Sequence, residues 1–140
     1  MTEQQHGGGC LCGAVRYRVI GEPSSANLCY CTQCRRQSGS PFASFVSYPL
    51  SRFAILAGEP TTYRSSHFAV RQFCDRCGSA LFWRRDGDDE LDVFLGSLDA
   101  PEAMPRPTAE LWTSGRLSWV PVLSGVESYP THRRPPPPPR

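Results

Sequence analysis

The sequence predicts a mainly β domain with only short helical turns. Three observations carry that expectation. Short runs alternate apolar and polar residues, turn-forming residues separate them, and no long segment shows the period of an amphipathic helix. At 140 residues the chain suits one domain rather than two.

Residues 1–9 are polar and Gly-rich and are expected to form a flexible N-terminus. In Ala14–Ile20, Val15, Tyr17 and Val19 share one face and Arg16 and Arg18 the other, a half-buried strand. Thr32–Gln37 suits one or two helical turns. Phe42–Tyr48 reads as the next strand, ended by Pro49, and Arg52–Leu56 as a third. Thr62–Arg64 and Ala69–Phe73 flank a turn. Ala80–Arg84 and Glu90–Leu95 are joined by the turn-rich Asp86–Asp89 and so should pair. Asp99 precedes Pro101 and Glu102 as a helix cap would. Leu117–Val122 is expected as a late strand, placed at an edge by Pro121. Residues 10–130 thus form the domain, and the proline run of residues 131–140 is expected to be a disordered, polyproline-II-like tail.

All 15 basic residues are arginine, against 13 acids. Arg133, Arg134 and Arg140 lie in the tail, so the body carries 12 Arg and a net charge of −1. That balance argues against nucleic-acid binding, which needs an excess of basic charge on one surface. No apolar run is long enough to cross a membrane as a helix, and the N-terminus has no secretory pattern. A cytoplasmic location is expected.

Seven cysteines dominate the chemistry: Cys10, Cys12, Cys29, Cys31, Cys34, Cys74 and Cys77. In a reducing compartment, clustered cysteines read as metal ligands rather than disulfides. If Cys10–Cys12 is extended, both sulfurs point the same way. Cys74-Asp75-Arg76-Cys77-Gly78 reads as a knuckle, with Gly78 free to take a positive φ. Together the two pairs would make a closed four-thiolate structural zinc site. Cys29, Cys31 and Cys34 offer three further sulfurs, and three ligands leave a tetrahedral zinc one open position, as in catalytic sites. Spacing alone also allows Cys31–Cys34 to join either pair, or to act as a redox couple. Arg35 and Arg36 follow directly as candidate cations for thiolates or substrate carboxylates.

The motifs GGCLCGAVRY (8–17), CYCTQCRRQSGSPF (29–42), RQFCDRCGSALFW (71–83), FLGSLDAP (94–101) and GRLSWV (115–120) resemble the glutathione-dependent formaldehyde-activating (Gfa, or CENP-V/GFA) family over residues 8–130. The resemblance implies a β-tent fold. It also implies a structural zinc on Cys10, Cys12, Cys74 and Cys77, and a second zinc on Cys29, Cys31 and Cys34. The implied activity is that of a carbon–sulfur lyase joining glutathione to formaldehyde as S-(hydroxymethyl)glutathione. Zinc would deprotonate the thiol, and the thiolate would add to an electrophilic carbonyl carbon. Two positions depart from the family pattern: Tyr30 stands between the first two cysteines of the triad where His is usual, and Ala109-Glu110-Leu111-Trp112 lacks the usual His before the late Trp. No histidine stands out as a general base, and Trp83, Trp112 and Trp119 read as core or pocket wall. The competing reading is a non-enzymatic, zinc-stabilised β-tent binding module.

Overall fold

The computed structural model describes residues 3–139. Two β-sheets pack face to face. The smaller holds β1 (Gln5–Gly9), β2 (Arg16–Ile20) and β5 (Phe53–Ala57), in the order β1-β2-β5. The larger holds β3 (Ser25–Cys29), β4 (Ala43–Pro49), β6 (Thr61–Arg64), β7 (Ala69–Phe73), β8 (Ala80–Arg85), β9 (Glu90–Phe94), β10 (Ala109–Leu111) and β11 (Glu127–Tyr129). Its order is β11-β10-β3-β4-β9-β8-β7-β6. Pairing is antiparallel except at β10, which runs parallel to both β3 and β11. One helix, α1 (Thr32–Ser38), follows β3.

The alternation of β2 places Val15, Tyr17 and Val19 against the larger sheet. There they meet Val46 and Tyr48 of β4, Phe82 of β8, and Leu91 and Val93 of β9. Tyr17 and Phe53 each meet the Phe82 ring edge-on at 5.0 Å, a preferred aromatic geometry. The other face of the same strands carries Phe45, Ser47, Asp92 and Phe94. The fold thus uses one face of the large sheet for its core and leaves the second for a site.

Several expectations are corrected. Residues 5–9 are not a flexible end but strand β1, in register with β2 from Gln5↔Ile20 to Gly9↔Arg16. Its glycines are needed for close approach: a Cβ on Gly8 would lie 2.3 Å from the Tyr17 ring and 2.8 Å from the Ser97 carbonyl. Residues 1–2 of that predicted end, and Arg140 of the tail, lie outside the described residues. Leu117–Val122 is not a strand but turns and irregular chain, because Pro121 has no N–H to give a ladder. Trp119 is 69 % exposed, so it is neither core nor pocket wall. Pro101–Ala103 is a single 3-10 turn, and Asp99 does not cap it; its carboxylate pairs with Arg16. No helix among the described residues is long and apolar enough to cross a membrane.

Candidate functional site

The seven cysteines separate into two groups, Cys10/Cys12/Cys74/Cys77 and Cys29/Cys31/Cys34. Within each group the sulfurs lie within 4.8 Å of one another. All seven are free thiols, and each cluster could hold a metal ion.

The four-sulfur group joins the turn before β2 to the turn after β7. Cys10–Gly13 is a hydrogen-bonded turn, with Gly13 N–H donating to the Cys10 carbonyl, rather than the extended segment expected. Cys74–Gly78 closes in the same way, and Gly78 takes φ +79° as the knuckle requires. Ser79 stitches the two turns together: its Oγ accepts from Leu11 N–H at 2.9 Å and lies 3.3 Å from Cys77 Sγ. That Ser79 contact, with the Ser79 and Cys12 backbone N–H groups, holds the Cys77 thiol down at about 5. Val15 N–H donates to Cys10 Sγ at 3.2 Å.

The three-sulfur group is built differently. Cys29 ends β3, Cys31 caps α1, and Cys34 lies on the buried side of its first turns. Cys34 N–H donates to Cys31 Sγ at 3.3 Å. Hydrogen bonds from Cys29 and Cys34 favour Cys31 as the thiolate, while Cys29, giving its proton toward Cys31 in a buried position, is pushed far up. A metal ion held by the three sulfurs would take the place of these protons.

These three sulfurs open onto a cavity of about 600 Å³ on the second face of the large sheet. None of the four-sulfur group lines it. Phe45, Trp83, Leu111 and Trp112 give it apolar walls, and Asn27, Asp92 and Arg71 are polar groups on its floor. Ser25 Oγ donates to Ser47 Oγ, which donates to Asp92 Oδ1, a polar row across β3, β4 and β9. Burial pushes the Asp92 carboxyl up to about 6, against the lowering effect of Ser47. Trp112 is held at φ +57° in the left-handed region, a strained backbone for a large side chain.

The tail, expected to be free, crosses this cavity. Trp112 N–H donates to the Thr131 carbonyl, and His132 packs edge-on against Trp112 with ring centres 5.0 Å apart. Arg134 pairs with Asp88, Arg85 donates to the Pro135 carbonyl, and His67 Nε2 lies 2.8 Å from the Pro137 carbonyl. His132, Arg133, Arg134 and Pro136 line the cavity.

The predicted site residues are therefore gathered unequally. Cys29, Cys31 and Cys34 meet in the cavity, whereas Arg35 and Arg36 do not line it. The cations that do are Arg71, Arg85, Arg133 and Arg134. Arg71 was legible in principle, since the alternation of β7 puts it on the same face as Ala69. The tail residues had no local signal. Tyr30, at one departure from the family pattern, touches the segment of the other: Tyr30 O–H donates to Glu110 Oε1 at 2.8 Å. Glu110 is fully buried and also pairs with Arg116 at 2.6 Å. Neither Tyr30 nor Glu110 lines the cavity, so this contact sits behind the site.

These features define a small two-sheet β domain with two cysteine clusters able to hold metal ions. The sequence profile of the family described as "Glutathione-dependent formaldehyde-activating enzyme" matches residues 5–115, and the chain belongs to that family. A Halomonas elongata protein provisionally named a glutathione-dependent formaldehyde-activating enzyme is 30% identical over 127 residues, covering 84% of this chain and 80% of its own. An uncharacterised lyase of Schizosaccharomyces pombe is 34% identical over 80 residues, 56% of this chain and 57% of its own. A crystal structure of a Rhodobacter sphaeroides protein superposes with a TM-score of 0.56 at 29% identity, over 66% of this chain and 87% of that one.

Proposed function

We propose that the protein is a zinc-dependent carbon–sulfur lyase that joins a small thiol, glutathione or a close relative, to formaldehyde or a similar carbonyl electrophile. The observation that carries this reading is the contrast in surroundings: three sulfurs face a large cavity, while the four-sulfur set stands apart from it. The donor chemistry fits zinc. Thiolates around a tetrahedral zinc ion stand about 3.8 Å apart, from a Zn–S bond near 2.3 Å. Cys12 Sγ lies 3.8 Å from Cys74 Sγ and 3.6 Å from Cys10 Sγ. Cys10, Cys12, Cys74 and Cys77 would hold a structural ion, and Cys29, Cys31 and Cys34 a second one with a position left for a ligand.

When bound, the second ion supplies Lewis acidity that favours a thiolate at neutral pH. The chain's own residues do the rest. Phe45, Trp83, Leu111 and Trp112 exclude water, so a thiolate keeps its nucleophilicity. Arg85 and Arg133, which line the cavity, would meet cosubstrate carboxylates, the role expected of Arg35 and Arg36. The reaction balances simply: a sulfur–carbon bond forms, the carbonyl π pair moves to oxygen, and the thiol proton ends on the new hydroxyl.

The test is zinc per chain before and after dialysis against glutathione, with adduct formation followed by NMR at matched thiol and formaldehyde. Two ions, a perturbed second site and faster adduct formation than the buffer reaction support the reading. Two inert ions with no acceleration would leave the binding module in its place.

A further inference from the structure

Two charged side chains are fully enclosed among the described residues, Glu110 and Arg71. Glu110 has its counter-ion in Arg116. Arg71 has none: it is 5 % exposed and forms no ion pair with a carboxylate among the described residues. Its Nη1 donates to Gln37 Oε1 at 2.6 Å and its Nη2 to Cys34 Sγ at 3.5 Å, while its Nε has no partner. Asp92 lies across the sheet through the register Arg71↔Trp83↔Asp92, two strand spacings or roughly 10 Å away. Its carboxylate accepts from Ser47, and Arg71 is the weakest of the influences on it, so Asp92 is a distant counter-charge and not a contact partner.

A guanidinium stays charged in a protein. An enclosed cation without an anion is strongly unfavourable. The anionic group in contact with Arg71 would be the sulfur cluster, through Cys34. Three thiolates and one divalent ion would sum to −1, and Arg71, in contact with one of those sulfurs, offsets that charge. The four-sulfur cluster would carry −2 but needs no enclosed cation, because Cys12 is open to solvent.

We propose that Arg71 is the charge-balancing and positioning residue of the three-cysteine site, holding Cys34 as a thiolate ligand through an N–H···S bond and offsetting the excess negative charge of the metal–thiolate group. The inference deepens the proposed function and rests on the triad holding a divalent ion. Arg71 acts through Cys34, so its effect is read on the metal and not only on turnover.

The experiment is a chelator competition at fixed pH on the full chain loaded with zinc, comparing the parent with Arg71→Gln, Arg71→Lys and Gln37→Leu. Arg71→Gln should weaken the second ion by about 10- to 100-fold, the usual effect of losing an outer-shell partner, and leave the first ion and the melting temperature in place. Arg71→Lys, which keeps the charge, should recover most of that loss. Gln37→Leu removes the other hydrogen bond of Arg71 but not its charge, and should leave the second ion unchanged. A second ion held as tightly in Arg71→Gln as in the parent would overturn the inference alone. So would an equal loss in Gln37→Leu, which would mark Arg71 as a helix-docking residue. A parent that holds one ion only would remove the lyase reading and this inference with it.

Discussion

The two cysteine clusters reverse a common expectation about exposure. The four-sulfur cluster is the more exposed, with Cys12 at the surface, yet its ligand set is complete and Ser79 and Val15 tie it to the chain. The three-sulfur cluster buries Cys29 and Cys34, yet it offers three sulfurs rather than four and faces a cavity. On the proposed reading, reactivity follows ligand count and adjoining space rather than surface exposure. The clusters differ in connection too. The first ties the small sheet to the large one through turns about 60 residues apart in sequence, so it closes a long loop. The second lies within six residues and closes almost none.

The largest expected effect follows from that difference. Cys74→Ser should abolish the cooperative thermal transition, because a structural zinc contributes on the order of 10 kcal/mol, as much as a whole domain's stability. Cys31→Ser should keep a cooperative transition, bind one ion and lose adduct formation. Circular dichroism melts with metal counts on both variants check this, and equal unfolding would break the comparison.

Next comes the buried pair behind the site. Glu110→Ala strands Arg116 and should cost about 3–5 kcal/mol in chemical denaturation. The Tyr30→His/Glu110→His double variant should lose less stability than the sum of the two single variants, because the side chains touch. Additive effects would show that the two positions are independent.

Asp92 sharpens the comparison through pH. The folded state keeps this proton to about pH 6, while the unfolded chain releases it near 3.8, so stability falls as pH rises between those values. Asp92→Asn should therefore stabilise the protein above pH 6 by up to about 3 kcal/mol and have no effect below pH 4. Denaturation midpoints at pH 4 and 7.5 measure it, and an equal shift at both values would refute it. The smallest effect belongs to the tail: ending the chain at Thr131 removes one exposed ion pair and a few hydrogen bonds, worth about 1 kcal/mol or less in global stability. Labelling of Cys31 by a bulky maleimide should nevertheless speed up. An unchanged labelling rate would mean that the tail does not restrict the cavity.

Much of this architecture is legible in the sequence, for definable reasons. Strands β2 and β4 to β9 announce themselves by alternation or by flanking turns, and the clusters by spacing. Strand β3 does not, because four of its five residues are buried and alternation vanishes. Strand β1 is hidden by its glycines, of which Gly8 is needed for close approach to Tyr17 and Ser97, both distant in sequence. β10 and β11 are three-residue strands joined in parallel, so no hairpin signals them. Arg71 and the tail escape for one reason: each is placed by a partner distant in sequence, Cys34 for one and Trp112, Arg85 and His67 for the other.

The course of the tail bears on how the protein is handled. Residues fused beyond it would be tethered at the mouth of the cavity, beside His67 and Arg85. A polyhistidine tag placed there would bring spare imidazoles, which are themselves zinc ligands, within reach of a cluster lacking one. Metal counts and kinetics on such a protein would report the tag as much as the site. A tag at the other terminus leaves from β1, in the sheet that contributes no residue to the cavity.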